Sequence, residues 1–236
     1  MSDYRWLNDI SQQFLDRDYL VDGQTVDQRV DEICAAAERY LGKPGYGARF
    51  KENFKKGWYS LSTPIWTNFG NDRGLPISCF GSSISDSMES IASTWAEVAM
   101  MTKHGGGTSA YFGNLRPRGS KIKKNGESSG SVHFMKAFEN LIQVVSQGST
   151  RRGNFAAYLP IDHSDIMEFL QIRSEGFAIQ DLSFGVTVPD YWMQEMIDGD
   201  AEKRKVWAKV LETRSNIGYP YISFIDNANK IGRAHV

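Results

Sequence analysis

Cysteine is nearly absent from this chain: two occur in 236 residues, Cys34 and Cys79, too few and too widely spaced for a disulfide scaffold or a metal knuckle. Any thiol chemistry rests on one residue or on a partner from elsewhere. Long apolar runs are also missing. No stretch approaches the roughly 20 residues a membrane helix needs, and the N-terminal MSDYRWLNDI lacks the apolar core of a signal peptide. A cytoplasmic protein is expected. Charge of one sign is the third absence, because 27 Lys and Arg against 28 Asp and Glu leave a formal net charge of -1. That balance argues against a dedicated nucleic-acid binder and fits a nucleotide ligand better. There is no Walker pattern, no complete GxGxxG and no internal repeat.

What is present is 41% hydrophobic residues, enough for one large core or two small ones. Val26, Val30, Ile33, Cys34, Ala37 and Leu41 recur at helical spacing, with Thr25 as a cap and Gly42 just past the end. Cys34 lies on that stripe and reads as a small buried hydrophobe. Residues 57 to 85 show short apolar runs broken by Pro, Gly, Asn and Ser, a pattern suited to strands joined by tight loops. Helical spacing returns over 88 to 102 and from Val132 to Val145. Then NFAAYLPID reads as a strand, SDIMEFLQIR as a short helix, LSFGVTVP as a strand, DYWMQEM as a helix, Glu202 to Ile217 as a longer helix and YPYISFID as a strand. This succession predicts an α/β fold with a mainly parallel sheet, open or closed into a barrel, binding ligands at strand C-terminal ends.

Three stretches could carry chemistry. In SLSTPIWTNFGNDRGLPISCF, Thr63, Ser78 and Cys79 stand among glycines. A reactive thiol is possible there, although no neighbouring Lys, Arg or His lowers its pKa, and composition favours a cysteine packed in a strand. In KHGGGTSAYFGNLRPRGSKIKKNGESSG, glycines precede Arg116, Arg118, Lys121, Lys123 and Lys124. Backbone N–H groups and mobile cations suit phosphate, and a solvated basic loop explains the same residues equally well. In SQGSTRRGNFAAYLP, Arg151 and Arg152 sit between glycines before a strand, where an exposed surface turn is the simpler reading. Asp86, three residues before Glu89, reads as a capping box for the helix at Met88, a role compatible with free N–H groups facing a nucleotide.

Taken in order, TPIWTNFG, GLPISCF, DSMESI, KHGGGTSAYFGNLRPRGS and SQGSTRRGNFAAYLPIDHSDIMEFL resemble the ribonucleotide reductase large (catalytic) subunit, from about Trp58 to Asn229. The resemblance implies a helical N-terminal segment over 1–56 and the first, incomplete portion of a ten-stranded α/β barrel over 57–230. It further implies that Cys79 is one redox cysteine, that Thr63, Ser78, Cys79 and Gly107 belong to the substrate site, and that Asp86, Ser87, Arg116 and Lys123 bind the nucleotide effector. Lys123 stands where some members have arginine, which keeps the charge and loses the bidentate fork. Gln147 and Arg151 fall in the loop that relays effector identity to the substrate.

By the same resemblance the complete enzyme reduces ribonucleoside diphosphates through a thiyl radical that abstracts hydrogen from the ribose C3′. It implies a second redox cysteine, a glutamate base and an asparagine, none of which is found in this segment. ATP or a deoxynucleoside triphosphate is the implied effector. The radical source is external: a small subunit with a metal cofactor, or adenosylcobalamin in class II members. Other implied partners are thioredoxin or glutaredoxin, the remainder of the large subunit and a second copy in a homodimer, with no nucleic acid, no membrane and no metal held by this segment. The 78 residues before Cys79 are too few for an additional ATP-cone domain, so overall activity control is not expected. The last six residues, IGRAHV, do not resemble the family and are one translation of ATCGGAAGAGCACACGTC, a common sequencing-adapter DNA. Residues 231–236 are therefore expected to be a non-native tail, with the natural frame continuing past Lys230. A class I fragment leads, with a class II fragment or a non-catalytic nucleotide-binding module as alternatives, and the isolated segment is expected to be inactive.

Overall fold

The computed structural model describes residues 3–124, 126–145 and 153–233, the side chains of 231–233 excepted. The chain divides into two compact units that meet in sequence between Ser78 and Cys79. Among the described residues no helix is long and apolar enough to cross a membrane.

The first unit is helical: α1 (Asp9–Asp18), α2 (Val26–Leu41), α3 (Tyr46–Lys55) and α4 (Thr63–Asn68). Local chemistry sets the ends of α2. Thr25 and Gln28 form a reciprocal capping box, and Gly42 ends the helix in the left-handed region at φ 61°. The face between them buries Val26, Val30, Ile33 and Cys34. They pack with an aromatic cluster in which Trp6 lies 5.2 Å from Phe54 and Phe54 lies 5.7 Å from Trp66, centroid to centroid.

The expectation of strands throughout 57 to 85 is corrected at α4. Ser62 occupies the N-cap position and Pro64 sits in the first turn, where its missing N–H is harmless and its fixed φ suits a helix. Its C-terminal carbonyls are all satisfied. Arg29, buried on α2, donates from Nε to Trp66 O at 2.6 Å and from Nη2 to Ile65 O at 3.2 Å and Phe69 O at 2.8 Å. Asn71 takes the rest, through its side chain to Thr67 O at 3.0 Å and its own N–H to Asn68 O at 3.2 Å. A six-residue helix thus survives because one guanidinium fork and one amide replace the bonds its length denies it.

The second unit alternates strands and helices: β1 (Cys79–Ser83), α5 (Met88–Lys103), β2 (Gly107–Tyr111), α6 (Ser131–Val144), β3 (Asn154–Pro160), α7 (Ile166–Phe169), β4 (Ser183–Val188), α8 (Asp190–Asp198), α9 (Ala201–Ile217), β5 (Tyr221–Phe224) and α10 (Ile225–Arg233). All four strand pairings are parallel and the strands lie in chain order, β1 to β5. This is the α/β succession expected. The one strand not foreseen is β2, whose GTSAY sequence sits inside the stretch read as a glycine-rich loop. Phe155, Ala157, Leu159, Phe184, Val186 and Val188 point to the helical layer and form the core with Phe112, Met135 and Phe138. Fully buried Glu139 on α6 accepts the N–H groups of Gln180 and Asp181, both at 2.7 Å, and fixes the turn into β4.

Candidate functional site

The opposite face of the sheet is unlike an ordinary parallel-sheet interior. Parallel strands covered on both sides normally carry Val, Ile and Leu on both faces. Here the second face carries Cys79, Gly81 and Ser83 from β1, Gly107, Ser109 and Tyr111 from β2, Tyr158 from β3 and Ser183 from β4, all half-buried or exposed, while Gly185 and Thr187 farther along β4 are buried. In register, Cys79 pairs with Gly107 and Gly107 with Asn154, so a thiol, a bare backbone position and an amide form one row across three strands. Two residues named from the sequence, Cys79 and Gly107, are thereby brought together. The row lies at the N-terminal ends of the strands.

Glycine chemistry makes this row possible. A Cβ on Gly106 would lie 2.6 Å from the Phe80 ring and 3.0 Å from Met101 O, so only glycine lets β2 start against β1 here. Ser109 Oγ then donates to Phe80 O at 3.2 Å, and Thr108 Oγ1 to Asn154 O at 3.0 Å, which locks the three strand starts together. The two cysteines have opposite surroundings. Cys34 is buried, and desolvation, reinforced by the Asp31 charge, pushes its thiol up to about 11. Cys79 is exposed, which corrects the packed-core reading that composition favoured.

A second site lies past the C-terminal ends of β1 and β2. Asp86, Ser87, Met88 and Ile91 face Leu115, Arg116, Ile122, Glu127, Ser128, Ser129 and Phe134 around a cavity of about 280 Å³. Asp86 accepts from Arg116 Nε at 2.7 Å and from the Arg116 backbone N–H at 3.3 Å. It is not the helix cap expected of it. Ser87 is the N-cap of α5, accepting from Ser90 N–H at 3.1 Å, because the Asp86 carboxylate is engaged with an arginine thirty residues away.

Asp86, Ser87 and Arg116 are thus gathered around one cavity, whereas Lys123 is exposed beside Ile122 and does not line it. Thr63 and Ser78 belong to the helical unit. Thr63 opens α4 with its hydroxyl 3.1 Å from the Tyr19 hydroxyl, and Ser78 ends the unit. Gln147 and Arg151 lie outside the described residues.

Residues 77–203, more than half of the chain, match the family model described as the ribonucleotide reductase barrel domain. The chain belongs to the ribonucleotide reductase family. Among solved structures, the alpha subunit of the class Id ribonucleotide reductase of Actinobacillus ureae superposes with a TM-score of 0.90 at 50% identity, over 98% of this chain and 42% of that one. The ribonucleoside-diphosphate reductase subunit alpha of Bacillus subtilis is 31% identical over 219 residues, 73% of this chain and 31% of its own length. The vitamin B12-dependent ribonucleoside-diphosphate reductase of Mycobacterium tuberculosis is 34% identical over 173 residues, 70% of this chain and 25% of its length. The chain therefore spans less than half the length of each of these reductases.

Within this reductase barrel, sequence reasoning missed the strand β2, the Asp86–Arg116 pair, Asn154 beside Gly107, and the segment His163–Glu168, which holds the loop carrying Arg116. Only the last had a local signal. PIDHSDIMEF places Asp, His and Ser in a turn after a strand-ending proline, where such side chains usually bond backbone.

Proposed function

We propose that this chain is the first portion of the catalytic barrel of a class I ribonucleoside-diphosphate reductase, with Cys79 as one redox thiol and the Asp86–Arg116 cavity as the nucleotide specificity site. The observation that carries the reading is the polar open face of the sheet, with an exposed thiol in register with Gly107 and Asn154 at one strand end and a cation-bearing cavity at the other. Membership of the family supplies the chemistry. Two thiols give two electrons and two protons to the ribonucleotide, the 2′-hydroxyl leaves as water, and the thiols close to a disulfide. Cys79 provides one thiol, and the remainder of the large subunit provides the second, the radical cysteine, the base and the asparagine.

Within this scheme Gly107 leaves room beside the thiol, and Asn154 offers an amide in the same row. Thr63 and Ser78 contact substrate, Lys123 assists the effector from the loop tip, and Gln147 and Arg151 relay effector identity. The effector is ATP or a deoxynucleoside triphosphate. A radical-generating small subunit, thioredoxin or glutaredoxin, and a second copy of the large subunit complete the assembly in the cytoplasm. Greater identity to a class Id alpha subunit, over nearly the whole chain, favours class I over a cobalamin-dependent enzyme.

The Asp86–Arg116 pair makes a direct test. Both side chains are more than a third exposed, so the pair contributes only about 0.2–1 kcal/mol to folding. Bonded to a phosphate, the same guanidinium contributes about 1.5–3 kcal/mol. Arg116→Ala is therefore expected to weaken deoxynucleoside triphosphate binding roughly 10- to 100-fold by calorimetry, with the melting temperature essentially unchanged. Equal affinity in the variant would remove Arg116 from the site.

A further inference from the structure

The wall of the nucleotide cavity is mostly loop. Arg116, Ile122, Glu127, Ser128 and Ser129 all come from the segment between β2 and α6, so the cavity has a shape only if that segment has one. Its outer part is a hairpin: Gly119 N–H donates to Ser128 O at 2.9 Å, Ser128 N–H to Ser120 O at 2.8 Å and Ile122 N–H to Gly126 O at 2.8 Å. Among the described residues these bonds run only along the hairpin and do not aim it, and Lys121, Lys123 and Lys124 are exposed on it. Something must hold its base.

The base is held from outside the cavity by residues just after β3. Asp165, 6% exposed, accepts the Arg118 N–H at 3.0 Å on Oδ1 and the Ser131 N–H at 2.9 Å on Oδ2. One carboxylate thus joins the base of the hairpin at Arg118 to the start of α6 at Ser131, and the second bond also caps α6, whose own N-cap residue is Gly130 and offers no side chain. Gly130, at φ 87°, is required by this closure, since a Cβ there would lie 2.8 Å from Asp165 Oδ2. Glu168 adds a two-pronged fork to Arg118, at 2.9 Å and 2.6 Å. The His163 ring accepts the Asp165 N–H on Nδ1 at 3.0 Å and places Nε2 2.9 Å from Leu115 O, which requires the Nε2–H tautomer and pins the residue before Arg116.

We propose that Asp165 is a positioning residue for nucleotide selection: by tying Arg118, two residues past Arg116, to Ser131 at the start of α6, it closes the base of the hairpin that carries Ile122, Glu127, Ser128 and Ser129 and so sets the cavity that the effector enters. A helix cap alone would need only the bond to Ser131. The bond to Arg118 has no capping role, and its effect is to shorten a loop of about a dozen residues and limit its conformations. Asp165 touches no effector, and its contribution runs through Arg118, Gly130 and Ser131. The proposal rests on the reading of the cavity as a nucleotide site.

The test compares the full 236-residue chain with Asp165→Asn, which presents an NH2 group to one of two backbone N–H donors and so must release it. Without nucleotide, amide exchange at Gly119, Ile122 and Ser128 is expected to accelerate at least about tenfold, while β3 amides stay protected. Affinity for dTTP and ATP, measured well below the melting temperature, is expected to fall about tenfold. Glu168→Gln, which alters only the partly exposed fork, is expected to shift both readouts about threefold in the same direction, and it covers the case in which Asp165→Asn does not fold. Unchanged hairpin exchange in a folded variant would overturn the clamp, and faster exchange with unaltered nucleotide affinity would overturn its role in selection. If the unsubstituted chain binds no nucleotide, the effector reading itself fails, and with it Asp165's role in selection, while exchange still decides whether the clamp exists.

Discussion

Replacing Cys79 with serine in the complete large subunit is expected to lower repeated turnover with a dithiol reductant by at least about 10³-fold, measured as deoxynucleotide formed per enzyme. A serine hydroxyl is nearly isosteric with the thiol and leaves the β1 start, its pairing with Gly107 and the Phe80 packing in place. It cannot form a disulfide, so the electrons for reduction have no exit from the side chain. Cys34→Ser is the matching control. Its thiol is buried on α2 and pushed up to about 11, away from the thiolate that disulfide exchange requires, so turnover is expected to be retained once the folded fraction is matched. Full activity of the Cys79→Ser enzyme would remove this cysteine from the redox pair.

The second large effect concerns stability. Arg29→Met keeps much of the volume and the apolar stem but strips the buried fork from α4, leaving Trp66 O and Phe69 O without the donor that now serves them. With each such group costing about 1–3 kcal/mol, a loss of roughly 3 kcal/mol is expected. Urea unfolding followed by near-ultraviolet circular dichroism reads it, because Trp6, Phe54 and Trp66 belong to the same packed cluster. Arg29→Lys retains a charge and one donor direction and is expected to lose about half as much. Since α4 begins at Thr63, either variant also loosens a residue that family resemblance places against substrate. A midpoint unchanged in Arg29→Met would show that water satisfies those carbonyls.

Where periodicity and capping chemistry lay within one segment, the fold was legible. Thr25, Gln28 and Gly42 bound α2 as their types demand, and β3, β4 and β5 stand where the apolar runs placed them. The failures share a cause. GTSAY does not resemble a buried strand because one of its faces carries small and polar residues that stay half-buried. The start of α4 was masked by the loop-like neighbours of Pro64, although Ser before Thr-Pro is a helix-opening pattern in its own right. Asp86 obeyed the capping rule on paper and went to Arg116 instead, because a partner thirty residues away is invisible to a local pattern. The exposure of Cys79 was likewise unreadable from its neighbours, and it was the ordered motifs along the chain that suggested a redox role for it.

The account turns on Cys79 as half of a redox pair, and the most direct measurement is disulfide mapping by mass spectrometry of the complete large subunit after one turnover without reductant. The predicted result is a peptide containing Cys79 joined through a disulfide to a cysteine in the remainder of the barrel, in proportion to the deoxynucleotide formed. Deoxynucleotide formation with the Cys79 thiol still fully alkylatable would contradict it.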